Sequence, residues 1–389
     1  MTSRYAAALS QHPIPAHAVG EVAGSILEQL DGEPPDVLVY FASPHFVGAL
    51  EDMNTALRRL IEPAVLIGMT TAGVIGGAVE AETVPALSAW AVAGVGAATP
   101  VGLQMVSTPD GTAVSGWPAP DPDTGEDPFH DAHTLLLLTD PFTFPVEAFI
   151  ERLSAAQPEL QVIGGMASAS PGLGGNRLAL DGELRFDGAV GVLLAGAPRV
   201  AAVVSQGCRP VGSAYIVTDS DDNVIRELGG KPALERLAKV AESRPDDDRL
   251  LPSNGLQIGI VVDEHLAEFE RGDFLVRSVL GANRAEGSIT VGTSVEVGRT
   301  IQFQVRDAIA ADEDLHELLA GVEAQSALLF TCTGRGEALF GVSSHDASLV
   351  EEVLGPIPVA GAFCAGELGP VGDRNEVHAF TASLALFQR

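Results

Sequence analysis

Residues 37–44 read VLVYFASP, and residues 65–73 read VLIGMTTAG after a stretch with helical periodicity. The same arrangement returns twice, as TLLLLTDP (134–141) with VIGGMAS (162–168) and as ALLFTCTG (327–334) with PVAGAFCAG (358–366). In each copy an apolar run ends in small polar residues, and a second apolar run ends in a polar turn rich in small residues. Such copies place small polar groups at equivalent strand ends, where ligands bind in α/β proteins.

A fourth, weaker copy begins at residues 256–262 and has residues 274–281 as its second apolar run. Further apolar or alternating stretches follow the second run, so the unit reads β-α-β plus additional strands. The β-α-β part implies parallel pairing, and the strands after it imply antiparallel pairing. We therefore predict an α/β protein with mixed β-sheets and flanking helices, built as two pseudo-equivalent halves with two units each.

Periodicity and composition predict the elements between these runs. Apolar residues on one face predict helices over residues 18–30 and 46–61. Asp312 is predicted to cap the leucine-rich helix that follows it. Prolines and acidic residues predict loops over residues 108–131 and 243–254.

The composition separates the possible classes of partner. The chain has 52 acidic and 22 basic residues, and a formal charge of −30 repels nucleic-acid phosphates and anionic membranes. We therefore expect neither as a partner. Three cysteines without a regular framework, and no signal peptide, favour the cytoplasm. The sequence has no Cys-x-x-Cys pair, spaced histidine cluster or phosphate-binding glycine motif, so we expect no metal and no cofactor.

Four arginines of the C-terminal half lie at predicted strand or turn positions: Arg277, Arg306, Arg335 and Arg374. A guanidinium binds a carboxylate through two parallel hydrogen bonds, so an arginine cluster in an acidic protein favours a pocket for a small anion. The alternative is internal pairing, for example of Arg374 with Glu367.

Small polar side chains mark the strand ends. Cys332 and Cys364 fall at or just past two such ends and are expected to approach each other. The functional interpretation is a thiol site for redox sensing, or for nucleophilic catalysis with a nearby histidine. The alternative is a pair of buried, inert residues. The hydroxyls of Ser43 and Thr71 are candidates for ligand binding, or serve turn formation and strand-end capping.

Several motifs resemble those of the FIST family, a two-part sensory domain. They are YFASPH (40–45), IGMTTAG (67–73), SQGCRPVG (205–212), LGGKPAL (228–234), VRSVLG (276–281), VRD (305–307), CTGRG (332–336) and FCAGELGP (363–370). These motifs span almost the whole chain, and the last is the most specific. The resemblance implies a helical lead-in over residues 1–35, an N-terminal domain over 36–225 and a C-terminal domain over 226–389.

The resemblance also implies a function. FIST domains are proposed to sense small ligands, possibly amino acids, and occur fused to bacterial signalling domains or to F-box segments. The chain leaves no room for such an output domain, so we expect a stand-alone cytoplasmic sensor that signals through a partner protein. The family supplies no catalytic residue. The candidate ligand-site residues are Arg277, Arg306, Arg335, Cys364, Glu367, Arg374, Ser43 and Thr71. Two alternatives remain: an enzyme with Cys364 as nucleophile, and a ligand-free interaction scaffold.

Overall fold

The computed structural model describes residues 3–108, 111–119, 129–242, 256–266, 268–269, 271–372 and 374–388. The predicted loop over residues 243–254 lies outside these ranges, as does part of the loop predicted over 108–131. The chain forms two compact units. The first contains Met1–Val204, Leu315–Val377 and Thr381–Arg389, and the second contains Ser205–Asp314 and His378–Phe380.

The elements follow one another in chain order. Residues 4–93 form β1 (Arg4–Ser10), α1 (Pro15–Gln29), β2 (Val37–Ala42), a 3-10 helix (Pro44–Ala49), α2 (Leu50–Ile61), β3 (Val65–Thr70), β4 (Val74–Gly76), β5 (Val79–Ala81) and β6 (Leu87–Ala93). Residues 97–206 form β7 (Ala97–Thr108), β8 (Gly111–Ser115), β9 (Ala132–Thr139), α3 (Val146–Ala156), β10 (Gln161–Met166), β11 (Leu178–Leu180), β12 (Glu183–Arg185), β13 (Ala189–Ala195) and β14 (Val200–Gln206).

Residues 208–306 form β15 (Cys208–Asp221), β16 (Val224–Leu228), α4 (Ala233–Glu242), β17 (Leu256–Val261), β18 (Phe274–Asn283), β19 (Ser288–Val291) and β20 (Thr300–Arg306). Residues 308–387 form α5 (Ala308–Leu319), β21 (Ser326–Cys332), α6 (Glu337–Phe340), α7 (His345–Leu354), β22 (Val359–Cys364), β23 (Glu367–Val371), β24 (Arg374–His378) and β25 (Thr381–Phe387).

Three of the predicted β-α-β units are present, all in the first unit. The parallel pairs are β2 with β3, β9 with β10, and β21 with β22. Each pair is followed by a short hairpin and a last strand that pairs antiparallel with the first strand of its own repeat. We call β2–β6 the first repeat, β9–β13 the second and β21–β25 the third. The predicted fold class, a mixed α/β protein with repeated β-α-β-plus-strands units, is confirmed.

The three repeats exchange their hairpins in a closed cycle. The hairpin of the first repeat, β4–β5, joins the sheet of the third repeat beside β22. The hairpin of the second, β11–β12, joins the sheet of the first beside β3. The hairpin of the third, β23–β24, joins the sheet of the second beside β10. Every sheet therefore depends on two repeats, and the turns between β3, β10 or β22 and the next hairpin run from one sheet to another.

The sheets bury both faces, which explains the continuous apolar runs of the sequence. In β2, Val37, Val39 and Phe41 enter a core shared by strands of all three repeats. Leu38 and Tyr40 point the other way and pack with residues of α1 and α2. Separate clusters join α3 to the second sheet, and α5 and α7 to the third. The repeats thus surround one core, and each sheet has helices on its outer face.

The prediction of a fourth β-α-β unit is wrong. Its two runs form β17 and β18, which pair antiparallel. No helix connects them within the described residues. Both belong to a closed six-stranded barrel in the second unit, ordered β15-β16-β19-β18-β17-β20. A short, fully buried strand such as β17 has the same sequence pattern in parallel and antiparallel sheets, so the periodicity of the sequence did not distinguish the two cases.

The prediction that Asp312 caps a helix is also wrong. Helix α5 spans Ala308–Leu319, which places Asp312 in its interior. Asp307 does the capping, since its Oδ1 accepts a hydrogen bond from the Ala310 backbone N–H at 3.2 Å. Both aspartates precede apolar residues at helical spacing, so the sequence pattern alone did not distinguish them.

Candidate functional site

The strand registers align the three repeats residue by residue. Gly68, Gly164 and Gly361 lie opposite Tyr40, Leu137 and Leu329, respectively. A Cβ atom at either Gly164 or Gly361 would lie 1.9 Å from the facing carbonyl oxygen, so close packing of the strands requires glycine there. Three positions beyond these glycines, the alignment makes Thr71, Ala167 and Cys364 equivalent. The facing positions hold Ser43, Asp140 and Cys332.

The turn ends of the three second strands meet. The Ser168 hydroxyl accepts a hydrogen bond from the Ala72 backbone N–H at 2.8 Å and donates one to the Phe363 carbonyl at 2.5 Å. The Phe363 N–H in turn donates to the Gly73 carbonyl at 3.0 Å. Residues of all three repeats are therefore hydrogen-bonded to one another near Thr71 and Cys364.

The third repeat differs from the other two in its buried polar groups. Glu367 pairs with Gly165 at the start of its hairpin, and the equivalent positions hold Val74 and Leu178. The side chain of Glu367 is fully buried. Because burying a carboxyl is unfavourable and two repeats fold with an apolar residue there, Glu367 points to a role other than folding.

Glu367 is held by the last strand of its own repeat. Its Oε2 accepts hydrogen bonds from the Thr381 N–H at 3.2 Å and from the Thr381 hydroxyl at 2.8 Å. Burial raises the pKa of Glu367 to about 8, against the opposing effect of these hydrogen bonds and of Arg335. The carboxyl is therefore mainly protonated at neutral pH. Oε1 is buried and has no oxygen or nitrogen donor in the described part of the chain, although the Cys332 thiol lies close to the carboxyl.

Arg335 forms a buried ion pair with Asp346 of α7. The Nε to Oδ2 distance is 2.7 Å, and the Nη2 to Oδ1 distance is 2.8 Å. Thr331 also donates to Asp346 Oδ2, at 2.8 Å. Burial alone would raise the pKa of Asp346, but the Arg335 charge and these hydrogen bonds hold it well below its usual range. Arg335 Nη1 is buried and has no acceptor among the described residues.

A short segment closes this region from solvent. Residues 336–344 contain α6, whose Phe340 ring lies over the Arg335 guanidinium at 5.2 Å. The His345 ring stacks on Phe340 with 3.5 Å between centroids and also contacts Asp346 through Nδ1 at 3.2 Å. Gly336 and Gly341 have φ angles of 65° and 72°, which glycine adopts readily.

Two acidic residues near the exchanged hairpin β4–β5 hold the ends of that segment. Glu82 Oε1 accepts from the Glu337 N–H at 2.9 Å, and Glu80 Oε1 accepts from the Ala347 N–H at 2.9 Å. Both contacts place a carboxylate at the start of a helix, which favours the helix. Burial and the nearby charge of Asp346 raise the pKa of Glu80 to about 7.

Cys332 and Cys364 lie directly opposite each other on the last rung of β21 and β22, as their strand-end positions predicted. Both are buried and reduced. Burial, followed by the negative charge that Glu367 carries once it is ionised, raises the pKa of the Cys364 thiol well above its usual value. A nucleophilic cysteine needs the thiolate, so this environment does not support Cys364 as a catalytic nucleophile.

We call Cys332, Arg335, Asp346, Cys364 and Glu367 the third-repeat cluster. It unites three of the predicted site residues: Arg335, Cys364 and Glu367. Asp346 is the residue that sequence reasoning missed. The run His345-Asp346 at the start of a predicted helix was its only signal, and the pairing with Arg335 depends on how residues 336–344 turn.

The other predicted site residues lie elsewhere or have local partners. The Ser43 hydroxyl accepts from the Ala86 N–H at 2.9 Å, and the Thr71 hydroxyl donates to the Gly73 carbonyl at 2.9 Å. Both therefore perform the capping and turn-forming role of hydroxyl residues. Arg374 is exposed at the tip of the β23–β24 hairpin, and no ion pair with Glu367 is observed.

Arg277 and Arg306 belong to the barrel of the second unit. Arg277 Nη1 donates to the Val276 carbonyl at 3.0 Å. The Arg306 guanidinium lies 5.1 Å from the centre of the Phe380 ring. Their assignment to a ligand site stays a prediction.

A surface pocket of about 680 Å³ lies away from these groups. It is lined by Val322, Glu323, Ala324, Gln325, Leu354 and Gln388. These residues surround the start of β21, whereas Cys332 is at its end, roughly 20 Å further along the strand. The pocket contains no buried charged group, so we place the candidate site at the third-repeat cluster. Within the described ranges, no group of His, Cys, Asp and Glu residues is arranged to hold a metal ion.

Comparisons with known proteins place the chain among its relatives. The FIST N domain matches residues 36–231, and the FIST C domain matches residues 233–370. The two domains agree with the two halves predicted from the repeat. The chain is 44% identical over 390 residues to the uncharacterized protein Rv0628c of Mycobacterium tuberculosis, covering 99% of each chain. It is 44% identical over 381 residues to the uncharacterized protein Mb0898c of Mycobacterium bovis, covering 96% of each.

Among the described residues, every helix is too short or too polar to span a lipid bilayer. FIST domains are sensory domains of signal transduction. The two domain matches cover most of the sequence, and the chain belongs to the FIST family.

Proposed function

We propose that this chain is a sensory module that binds a small amino-acid-like ligand at the third-repeat cluster and signals through a partner protein. The observation that carries the proposal is the buried pair of Arg335 and Glu367. Arg335 Nη1 and Glu367 Oε1 are both buried and lack nitrogen or oxygen partners among the described residues. An α-amino acid carries a carboxylate for the guanidinium and an ammonium group for the carboxyl.

The charges around Arg335 favour this ligand class over a simple anion. Asp346 already accepts hydrogen bonds from Nε and Nη2 along one edge of the guanidinium, so the charge of Arg335 is largely neutralised. Glu367, which is near Arg335, adds a second carboxyl. A ligand with a positive group as well as a negative one complements this arrangement better than an anion alone.

Ligand entry requires the segment over residues 336–344 to move. Arg335, Asp346 and Glu367 are at most 1% exposed. The positive φ angles of Gly336 and Gly341 make these residues suitable hinges, because glycine tolerates large backbone changes. Glu80 and Glu82 belong to the first repeat and hold this segment of the third, so its movement also acts on the exchanged hairpin. Ligand binding can thereby change the conformation of a surface that a partner protein binds.

We further infer a cytoplasmic location. The chain has three cysteines without a regular framework, which fits a reducing compartment. The strongly acidic surface agrees with a partner other than a nucleic acid or an anionic membrane.

The test is a thermal-shift screen of the full chain against the common amino acids and small dicarboxylates. A ligand specific for the folded state raises stability by about 2.7 kcal/mol at a hundredfold excess over its Kd. Glu367→Gln keeps the size of the side chain and an acceptor for Thr381, and we expect it to abolish the shift. The exposed Glu352→Gln on α7 is the matched control and should keep it. An equal shift in Glu367→Gln, or no shift across the screen, contradicts the proposal.

The proton on Glu367 supplies a second readout. Because the pKa of Glu367 is raised to about 8, an ammonium group that binds beside it must favour release of the proton. Calorimetry at neutral pH in buffers of different ionisation enthalpy should therefore show proton release on binding. Glu367→Gln should show none. Binding without proton release places the ligand elsewhere.

A further inference from the structure

Two of the three cysteines in the chain occupy a single rung of one sheet. Cys332 and Cys364 are paired in register at the ends of the parallel strands β21 and β22. Neighbouring strands are about 4.8 Å apart, and the Cα atoms of disulfides are usually about 4.4–6.8 Å apart. Directly paired residues of neighbouring strands also point to the same face. The backbone therefore brings the two thiols within the range of a disulfide.

The fold itself does not demand this pair. The aligned positions hold Ser43 and Thr71 in the first repeat and Asp140 and Ala167 in the second, one residue past the last strand pairs Ala42–Thr70 and Thr139–Met166. All three repeats pair their strands in the same way, with hydroxyl, carboxyl or methyl side chains in two of them. A dithiol in the third repeat alone calls for a chemical explanation.

The two sulfurs have different surroundings. Cys332 is 7% exposed and its Sγ accepts a hydrogen bond from the Gly334 N–H at 3.4 Å. The positive charge of Arg335 also lies near Cys332, and so does the Glu367 carboxyl, whose pKa is raised to about 8. A backbone N–H and a guanidinium both favour the anionic form of sulfur. Cys364 is fully buried, and its Sγ contacts the Ala362 carbonyl at 3.6 Å. Burial and the nearby Glu367 raise the pKa of the Cys364 thiol, and the Met166 backbone N–H offsets this only in part.

We propose that Cys332 and Cys364 form a dithiol centre that a small peroxide oxidises reversibly to a disulfide, with Cys332 as the first sulfur to react. Cys332 attacks one oxygen of hydrogen peroxide, so that an S–O bond forms, the O–O bond breaks and one water leaves. The Cys364 thiol, held opposite Cys332 by the strand register, then passes its proton to the departing hydroxyl, so that an S–S bond forms, the S–O bond breaks and a second water leaves. Two thiols lose two protons and two electrons, and the peroxide is reduced to two waters.

The disulfide links the ends of the two strands that lead to Arg335 and Glu367. It also removes the Cys332 thiol from the surroundings of Glu367. Oxidation therefore alters the third-repeat cluster whatever ligand that cluster binds. The inference rests on the position of the two sulfurs and not on the proposed ligand.

The tryptic map of the chain makes the test direct. Cys332 and Cys364 fall in the adjacent tryptic peptides 307–335 and 336–374, each of which contains one cysteine. Folded protein is treated with hydrogen peroxide, quenched with iodoacetamide, digested and analysed without reduction. We expect the two peptides to be linked, with loss of the mass of two hydrogen atoms, and to separate after treatment with dithiothreitol. Cys208 lies in the second unit and should stay open to alkylation after unfolding.

Variants and an unfolded control determine the order of the reaction. Cys364→Ser should accumulate a sulfenic acid at Cys332 that dimedone traps, and Cys332→Ser should give much less at Cys364. Cys208→Ser should form the link as the wild type does. Absence of the linked peptides in folded wild-type protein overturns the proposal, and this result needs no variant to fold. Equal linkage in urea-unfolded protein, or linkage to Cys208, does so as well.

Discussion

Glu367 is a buried carboxyl at a position where equivalent repeats hold Val74 and Leu178. Its charged neighbour Arg335 already forms an ion pair with Asp346. A protein selected for stability alone would hold an apolar side chain at such a position. The contrast is informative because all three positions belong to one chain and one sheet geometry. It points to the candidate site through a difference between repeats, a signal that was present in the sequence once the repeats were aligned.

The ion pair of Arg335 and Asp346 predicts a large effect of removing one partner. Asp346→Asn leaves a buried guanidinium without its counter-charge, and we expect a loss of about 3–5 kcal/mol in the free energy of unfolding. The exposed Asp52→Asn, in the first turn of α2, should lose less than about 1 kcal/mol. Urea denaturation of both variants checks this. A loss in Asp346→Asn no larger than that in Asp52→Asn would contradict the buried pair.

At the scale of elements, the sequence predicted the long strands and missed the exchange of hairpins. The runs that form β2, β3, β9, β10, β21 and β22 are apolar on both faces and long enough to be recognised. By contrast, β4 and β5 have three residues each, and β4 pairs with β22 in another repeat. Such a pairing is decided by packing between distant segments, for which local periodicity holds no information.

The same reasoning explains which residues of the third-repeat cluster could be predicted from the sequence. Arg335, Cys364 and Glu367 lie close behind long strands, so strand-end position predicted them. Glu80 and Asp346 approach one another only because β4–β5 is exchanged into the third sheet. Neither was predictable, since each required a contact between repeats.

Replacement of glycine by alanine is expected to have opposite effects on stability in strand β22 and in helix α1. A Cβ at Gly361 of β22 would lie 1.9 Å from the Leu329 carbonyl oxygen, so Gly361→Ala must push β22 away from β21. We expect it to lower the free energy of unfolding by about 1–3 kcal/mol. Gly24 lies exposed in α1 with nothing within 4 Å of its Cβ position. Gly24→Ala should raise stability by about 0.5–1 kcal/mol because alanine favours helix.

Thermal unfolding of these two variants tests the alignment of the repeats. If Gly361→Ala proves neutral, the strands are not as closely packed as described. Gly164→Ala, at the equivalent position of β10, should behave as Gly361→Ala does, since its Cβ also lies 1.9 Å from a carbonyl oxygen.

At the scale of the whole molecule, buried carboxyls with raised and with lowered pKa values determine how stability depends on pH. Glu80 and Glu367 have pKa values raised to about 7 and about 8, from ordinary values of 4.5. Between pH 4.5 and the raised pKa of each group, the folded protein keeps a proton that the unfolded chain releases, so the free energy of unfolding falls as pH rises. Asp346 acts in the other direction. Its pKa is held below the ordinary 3.8, so its contribution is present above that pH and is lost in more acidic solution.

The two effects together place maximal stability in mildly acidic solution. This pH lies above the range in which Asp346 is protonated and below the range in which Glu80 and Glu367 lose their protons in the folded protein. Each glutamate contributes a slope of up to about 1.4 kcal/mol per pH unit while it is protonated only in the folded state. The 52 acidic residues add a background of the same sign, because surface repulsion grows as they ionise. A comparison of variants is therefore needed to isolate the buried groups.

We expect the double variant Glu80→Gln, Glu367→Gln to lose less stability than the wild type as pH rises from about 5.5 to about 7.5, because neither side chain titrates. Urea denaturation at both pH values measures the difference. Glu352→Gln carries the same chemical change at an exposed site of α7 and should keep the wild-type slope. If the double variant keeps that slope as well, the two carboxyls are ionised in the folded protein. In that case Glu367 has no proton to release when a ligand binds, so the stability measurement also decides whether the calorimetric readout of ligand binding is valid.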